Sequence, residues 1–149
     1  CFTDLKQNGL RQEEAGLAAS QVATLPDVRA VLLSFQRDFA ACPPSGKLGA
    51  VLDGRDIGTV VCPGAHHKIF LMASADVRAM RRYKELQAHG GEAIYARILR
   101  DIKDRDTRDM SRSAAPLEPA KDAFVLDTSE LDPDAVFTAA LQYINSQNL

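Results

Sequence analysis

An α/β fold with a mostly parallel sheet is the architecture this sequence predicts, and two observations predict it. Three short apolar runs, "AVLD" (50–53), "KIFLMA" (68–73) and "AFVLD" (123–127), have the length and composition of buried strands. Around them lie longer segments in which apolar residues recur at helical spacing. In such sheets ligands sit beyond the carboxyl ends of the strands, which puts residues 53–56 at a candidate binding edge.

The elements follow in order. "LRQEEAGLAASQVATL" carries Leu17, Ala18, Val22 and Leu25 at helical spacing. Pro26 then suits the first turn of a second helix, "PDVRAVLLSFQRDFAAC", because its missing N–H is not needed there. "PPSGKLG" (43–49) has loop composition, and the strand "AVLD" follows it. After "KIFLMA", the segment "SADVRAMRRYKELQAHGG" reads as a helix capped by Ser74 and closed by Gly90 and Gly91. "EAIYARILRDIKDRDTRD" continues in helical period. "AFVLD" is the third strand, and "DPDAVFTAALQYIN" a last helix with an acidic start.

A chain of 149 residues can bury one core, with room for a small appendage. A formal net charge of −2 excludes the broad electrostatic footprint of a nucleic-acid or acidic-membrane binder. Cys1, Cys42 and Cys62 make neither a metal-ligand pair nor a disulfide framework, which favours a reducing compartment. Cys42 and Cys62 read as buried small apolar residues. No apolar run reaches the roughly 18 residues of a membrane span. His66 and His67 are adjacent and His89 is remote, so no metal-binding helix pair arises, and a histidine in a loop faces solvent by default. "PPSGKLG" contains Gly-Lys but is no phosphate loop. Ala41 stands where the motif needs Gly, Leu48 where it needs Ser or Thr, and the segment precedes a strand.

Arginines supply the more informative pattern. Arg78, Arg81 and Arg82 share a helix face; Arg105, Arg108, Asp109 and Arg112 share another if that helix runs far enough; Arg55 stands in the strand-end loop. Three such sources converging on one crevice would suit a substrate with several phosphates, because guanidinium pairs phosphate oxygens two at a time. The plainer reading is a solvated, salt-bridged helix face, since Asp101, Asp104, Asp106 and Asp109 are interleaved with the arginines. Asp53 and Asp56 would then be turn or cap residues.

"LDGRDIGTVVCPGAHHKIFLMAS", "RRYKELQ", "ILRDIKDRDTRDMSRSAAPLEPAKDAFVLDTS" and the "ASQVA…VR" pair, in order over residues 10–143, resemble the bacterial cytidylate kinases of the nucleoside monophosphate kinase group. The resemblance implies a P-loop-kinase-like parallel sheet with flanking helices and a helical lid. It implies a cytoplasmic, monomeric transferase that moves the ATP γ-phosphoryl group to CMP or dCMP with Mg²⁺, with no nucleic-acid or membrane partner. By matching motif, Arg55 and Arg112 would hold the CMP phosphate, and Arg29 and Asp56 would read the cytosine. Arg105 and Asp109 would contact the ribose, with Ser20 nearby. Asp53 would sit near the Mg²⁺ shell, and Arg78 and Arg82 would belong to the lid that closes on ATP. Tyr83 and Tyr95 would be lid packing residues. The implied organisation is 1–44, remainder of the acceptor-binding region; 45–77, core strands; 78–104, lid and lid helices; 105–149, the C-terminal part of the core.

These residue types suit the chemistry. Phosphoryl transfer needs positioning and charge neutralisation more than a strong base. Cytosine offers an amino donor beside two acceptors, which a carboxylate and a guanidinium complement. The family's Gly-rich phosphate loop and first strand have no counterpart here. The chain is therefore expected to be the C-terminal two-thirds of a longer enzyme, its sheet incomplete between "AVLD" and "KIFLMA", and to be nearly inactive alone. Two alternatives stand beside this one: a nucleotide- or anion-binding module that never had such a loop, and a non-catalytic subunit that completes its sheet with a partner.

Overall fold

Helices form where the sequence supplies both an apolar stripe and an end signal. The computed structural model describes residues 13–23, 25–43, 46–90, 92–111 and 116–147. Its internal contacts divide it into two units, Cys1–Leu52 and Asp53–Leu149.

The first unit is helical. Helix α1 (Glu13–Val22) and helix α2 (Pro26–Ala41) lie where periodicity places them. Pro26 occupies the first turn of α2 and Asp27 puts a carboxylate at its positive end. Its last turn closes with Cys42 N–H donating to Asp38 O at 2.8 Å. Residues 50–53, expected as a strand, are not one. Val51 is 97% exposed. A strand needs a neighbour for its N–H and C=O groups, and among the described residues none pairs with this segment. The apolar run is real, but the ladder that would make it a strand is absent.

The second unit is α/β. Strand β1 (Ile69–Met72) and strand β2 (Phe124–Asp127) pair in parallel, from Ile69 opposite Phe124 to Met72 opposite Asp127. Phe124 N–H to Lys68 O (2.8 Å) and Thr128 N–H to Met72 O (2.7 Å) extend the ladder at both ends. The connection between them is two helices, α3 (Ala75–Ala88) and α4 (Tyr95–Ser111), packed on one another. Ser74 caps α3 by accepting from Val77 N–H at 3.2 Å, a contact worth about 1 kcal/mol. Gly90, with φ +74°, takes the left-handed turn after it. The Tyr83 and Tyr95 rings meet edge to face at 6.3 Å, so these two residues do pack between the helices. Helix α5 (Pro133–Ser146) starts on an Asp132 cap, whose carboxylate accepts from Ala135 N–H at 2.8 Å. It returns Tyr143 to stack on Phe124 with centroids 4.6 Å apart. Val61, Ala79, Ile98 and Leu126 form the buried apolar core.

Between Asp53 and β1 the chain makes a wide turn. Residues Ile57–Val61 form one π-helical turn, closed by Val61 N–H to Asp56 O (3.1 Å) and Cys62 N–H to Ile57 O (2.7 Å). Cys62 is half-buried and Cys42 exposed, so neither is the buried apolar residue expected: one ends this turn and the other ends α2. His66 is exposed as expected. His67 is half-buried, edge-on to Tyr143 at 6.3 Å, because α5 covers it.

Candidate functional site

Helix α4 turns two acids inward. Its buried stripe begins at Ile98 and ends at Asp109, whose side chain is 2% exposed. A carboxylate taken from water costs several kcal/mol unless charge and hydrogen bonds meet it. Two guanidiniums meet its Oδ2, one with a hydrogen bond and one with charge alone. Arg105, one turn earlier on α4, places Nε 3.7 Å from Asp109 Oδ2. Arg55, 54 residues away in sequence, donates from Nε to the same oxygen at 3.0 Å. The arginines themselves stay near the surface, with side chains 43% and 48% exposed. Among the described residues the Nη atoms of Arg55 have no protein partner. The result is an outward-facing pair of cations held from beneath by one buried anion, which suits an oxyanion such as phosphate. Asp109 also ties down the chain that follows, its carbonyl accepting from Leu117 N–H at 2.9 Å. Arg112 lies outside the described residues.

The segment "DGRD" delivers Arg55. Asp53 is exposed and, with no strand before it, ends no strand. Asp56 is half-buried and heads the π turn through its carbonyl. At Gly54 a Cβ would lie 3.0 Å from Cγ1 and Cδ1 of Ile57, so a larger residue there would have to displace that side chain.

The three arginines of α3 go three ways. Arg78 grips Asp106 of α4 with both ends of its fork, Nη1 to Oδ1 at 2.9 Å and Nη2 to Oδ2 at 2.6 Å, while Nε donates to Ala73 O at 3.0 Å. The bond to Asp106 holds its pKa above the ordinary guanidinium value. Arg81 reaches the loop after β2, donating to Thr128 Oγ1 and Leu131 O at 3.1 Å each and to Thr128 O. Arg82 bonds Glu85 at 2.8 Å on the surface. The solvated-face reading of the acids therefore holds for exposed Asp104; Asp101, 3.8 Å from Arg97, is half-buried with its Oδ2 out of water, and the reading fails for Asp106 and Asp109. Those two lie one turn apart on the stripe that Ile98 and Ile102 begin, and that spacing was the available signal.

Lys68 is a further charge that composition did not single out. It is almost fully buried, donates to Pro63 O, and binds Asp122 Oδ2 at 2.6 Å. That bond, with the Asp122 backbone N–H, holds the Asp122 carboxyl below the ordinary carboxylate range. Ser20 lies on α1 and Arg29 on α2 of the first unit, where Arg29 Nη1 donates to Ala23 O at 3.4 Å. Among the described residues no three His, Cys, Asp or Glu side chains form a metal site, and no helix is long and apolar enough to cross a membrane.

Comparison with known proteins identifies the family. The family model described as cytidylate kinase matches residues 3–146. The cytidylate kinase of Paramagnetospirillum magneticum is 60% identical over 97% of this chain and 68% of its own length. That of Methylocella silvestris is 54% identical over 97% of this chain and 65% of its own. The cytidylate kinase of Vibrio parahaemolyticus is 54% identical over 93% and 59%. The chain thus spans about two thirds of the length of the curated relatives it matches. With identity at this level across nearly all of its residues, the chain belongs to the cytidylate kinase family of nucleoside monophosphate kinases.

Proposed function

We propose that this chain carries the acceptor-nucleotide side of a CMP kinase, which moves the γ-phosphoryl group of ATP to CMP or dCMP. The observation that supports it most is the meeting of Arg55 and Arg105 on buried Asp109. Arg55, with Arg112, binds the acceptor phosphate. A guanidinium fixed through Nε presents its two Nη groups as a ready fork, so little reorganisation is needed as charge develops during transfer. Arg105 takes the ribose, with Ser20 beside the nucleoside; Asp109, assigned to the ribose by the same motif, is only 2% exposed and serves it from beneath by holding Arg105 and Arg55. Arg29 and Asp56 complement the cytosine edge: the carboxylate accepts from the exocyclic amine and the guanidinium donates to the ring nitrogen and carbonyl. Uracil puts an oxygen against the carboxylate, and its rejection is worth a few kcal/mol.

Magnesium enters as part of the donor nucleotide, its charge offsetting that of the transferring phosphates. Asp53 opens the acceptor motif and stands exposed, and among the described residues it joins no cluster that could hold a metal, so its part near the Mg²⁺ shell is read as indirect and no step is drawn through it. Arg78 and Arg82 are the lid arginines on the donor side; Arg82 is a surface contact for ATP, whereas Arg78, held by Asp106 and Ala73 O, would reach ATP only when that fork opens.

The test is a coupled ADP-release assay on the intact gene product. Arg55→Ala should raise the KM for CMP about 100-fold, the loss of one or two charge-assisted bonds, with the KM for ATP nearly unchanged. Unchanged CMP kinetics in that variant would remove Arg55 from the acceptor site. CMP binding without turnover in the wild type would favour a nucleotide-binding module.

A further inference from the structure

We propose that Arg78 and Asp106 are a positioning pair for the acceptor site, fixing α4 against the carboxyl end of β1 so that Arg105 and Asp109 meet Arg55. This rests on the acceptor-site reading above. Three of the five guanidinium N–H donors of Arg78 are committed, two to the Asp106 carboxylate and one to the carbonyl of Ala73, the residue that follows β1. A two-pronged bond fixes angle as well as distance, which a point charge cannot do. One planar group thus sets both the height and the rotation of α4 relative to the sheet.

Asp106 is where such a tie has most effect. It follows Arg105 directly and precedes Asp109 by one turn, so any slide or roll of α4 that breaks the fork also carries these two residues away from Arg55. The other end of α4 is held differently, by the Tyr95 ring on Tyr83 and by Tyr95 Oη to Asp76 Oδ1 at 3.4 Å. One hydroxyl shared between Asp76 Oδ1 and Asp76 O, 3.5 Å away, makes longer bonds there and leaves more play than the fork. The two guanidiniums are similarly exposed, 37% for Arg78 and 31% for Arg82, but Asp106 is 24% exposed against 48% for Glu85, so water competes less for the carboxylate of this pair. A guanidinium engaged in this way is not presented to the donor nucleotide unless the fork opens. Its loss should therefore be felt at CMP rather than at ATP.

The experiment is a double-mutant cycle in the intact gene product, with initial rates measured over a matrix of CMP and ATP concentrations. Asp106→Asn and Arg78→Lys should each raise the KM for CMP about tenfold, as expected for groups displaced by a fraction of an ångström, and change the KM for ATP less than twofold. The double variant should be no worse than the worse single one, because the two side chains act as one unit. Thermal unfolding measured alongside separates a displaced site from an unfolded one. If Asp106→Asn is unfolded at assay temperature, Arg78→Lys, which retains charge but not the fork, carries the test. An unchanged KM for CMP in either folded variant overturns the proposal. So does a rise in the KM for ATP with Arg78→Lys that Asp106→Asn does not share, or additive losses in the double variant. A wild type without CMP turnover instead overturns the kinase reading. CMP binding by calorimetry then tests the pair, with about tenfold weaker binding expected in each single variant.

Discussion

Two ion pairs in the second unit span the same sequence distance, 54 residues, and are built inside out from each other. In one, the acid is buried and the base is near water: Asp109 is 2% exposed and Arg55 43%. In the other, the base is buried and the acid is in water: Lys68 is 7% exposed and Asp122 65%. Both start in the segment between Asp53 and β1; the first reaches the last turn of α4 and the second the segment between α4 and β2. The difference lies in what is left facing outward. A buried carboxylate leaves guanidinium edges at the surface, where an anion can use them. A buried ammonium directs its donors at Pro63 O and Asp122 and leaves only a neutralised carboxylate outside. The first arrangement can bind; the second can only hold.

The comparison breaks most visibly at its buried acid. Asp109→Asn removes the charge that holds Arg55 and Arg105 together, and kcat/KM for CMP should fall about 100-fold, equivalent to ~2–3 kcal/mol of charge-assisted bonding. A loss below about threefold would mean that the arginines hold their places without it. Lys68→Met should do the reverse. It retains the buried stem but leaves Pro63 O without its donor, so the unfolding free energy should drop by ~1–3 kcal/mol in denaturant titrations while the KM for CMP stays put. Asp122→Asn sharpens the contrast with the smallest effect. The Asp122 carboxyl is held below its ordinary value, so its contribution is present above the usual carboxylate range and lost as pH falls through the lowered value. The variant should be slightly less stable than wild type at neutral pH, and the two stability curves should converge at acid pH. Curves that stay parallel would show that the bond to Lys68 carries no pH dependence.

Local signals made most of the second unit legible. Ser74 and Asp132 each sit where a helix begins, Pro26 where α2 begins, and the runs containing residues 69–72 and 124–127 are strands because each has the other as neighbour. The same reasoning failed for residues 50–53, since an apolar run reports strand propensity but not whether a partner is present. It also missed which charges are buried. Asp106, Asp109 and Lys68 look like surface residues until a partner about 28 or 54 residues away is known. Motif resemblance named Arg55, Arg105 and Asp109, and the structure brings these three together. It offered nothing on Asp106 or on the role of Arg81 at Thr128, because those contacts are set by how α3 and α4 pack.

The wide turn at Ile57–Val61 has a consequence for how this region tolerates change. Two of its bonds reach five residues ahead, beside one of ordinary four-residue span from Val60 N–H to Asp56 O, so it contains one residue more than an ordinary helical turn would use. Removing any one of those residues would let the turn tighten and swing the preceding backbone by about 100°, the angle each residue occupies around a helix axis. Arg55 would then point away from its anchor, although its codon is untouched. The segment works as a ruler, in which spelling can vary more freely than length.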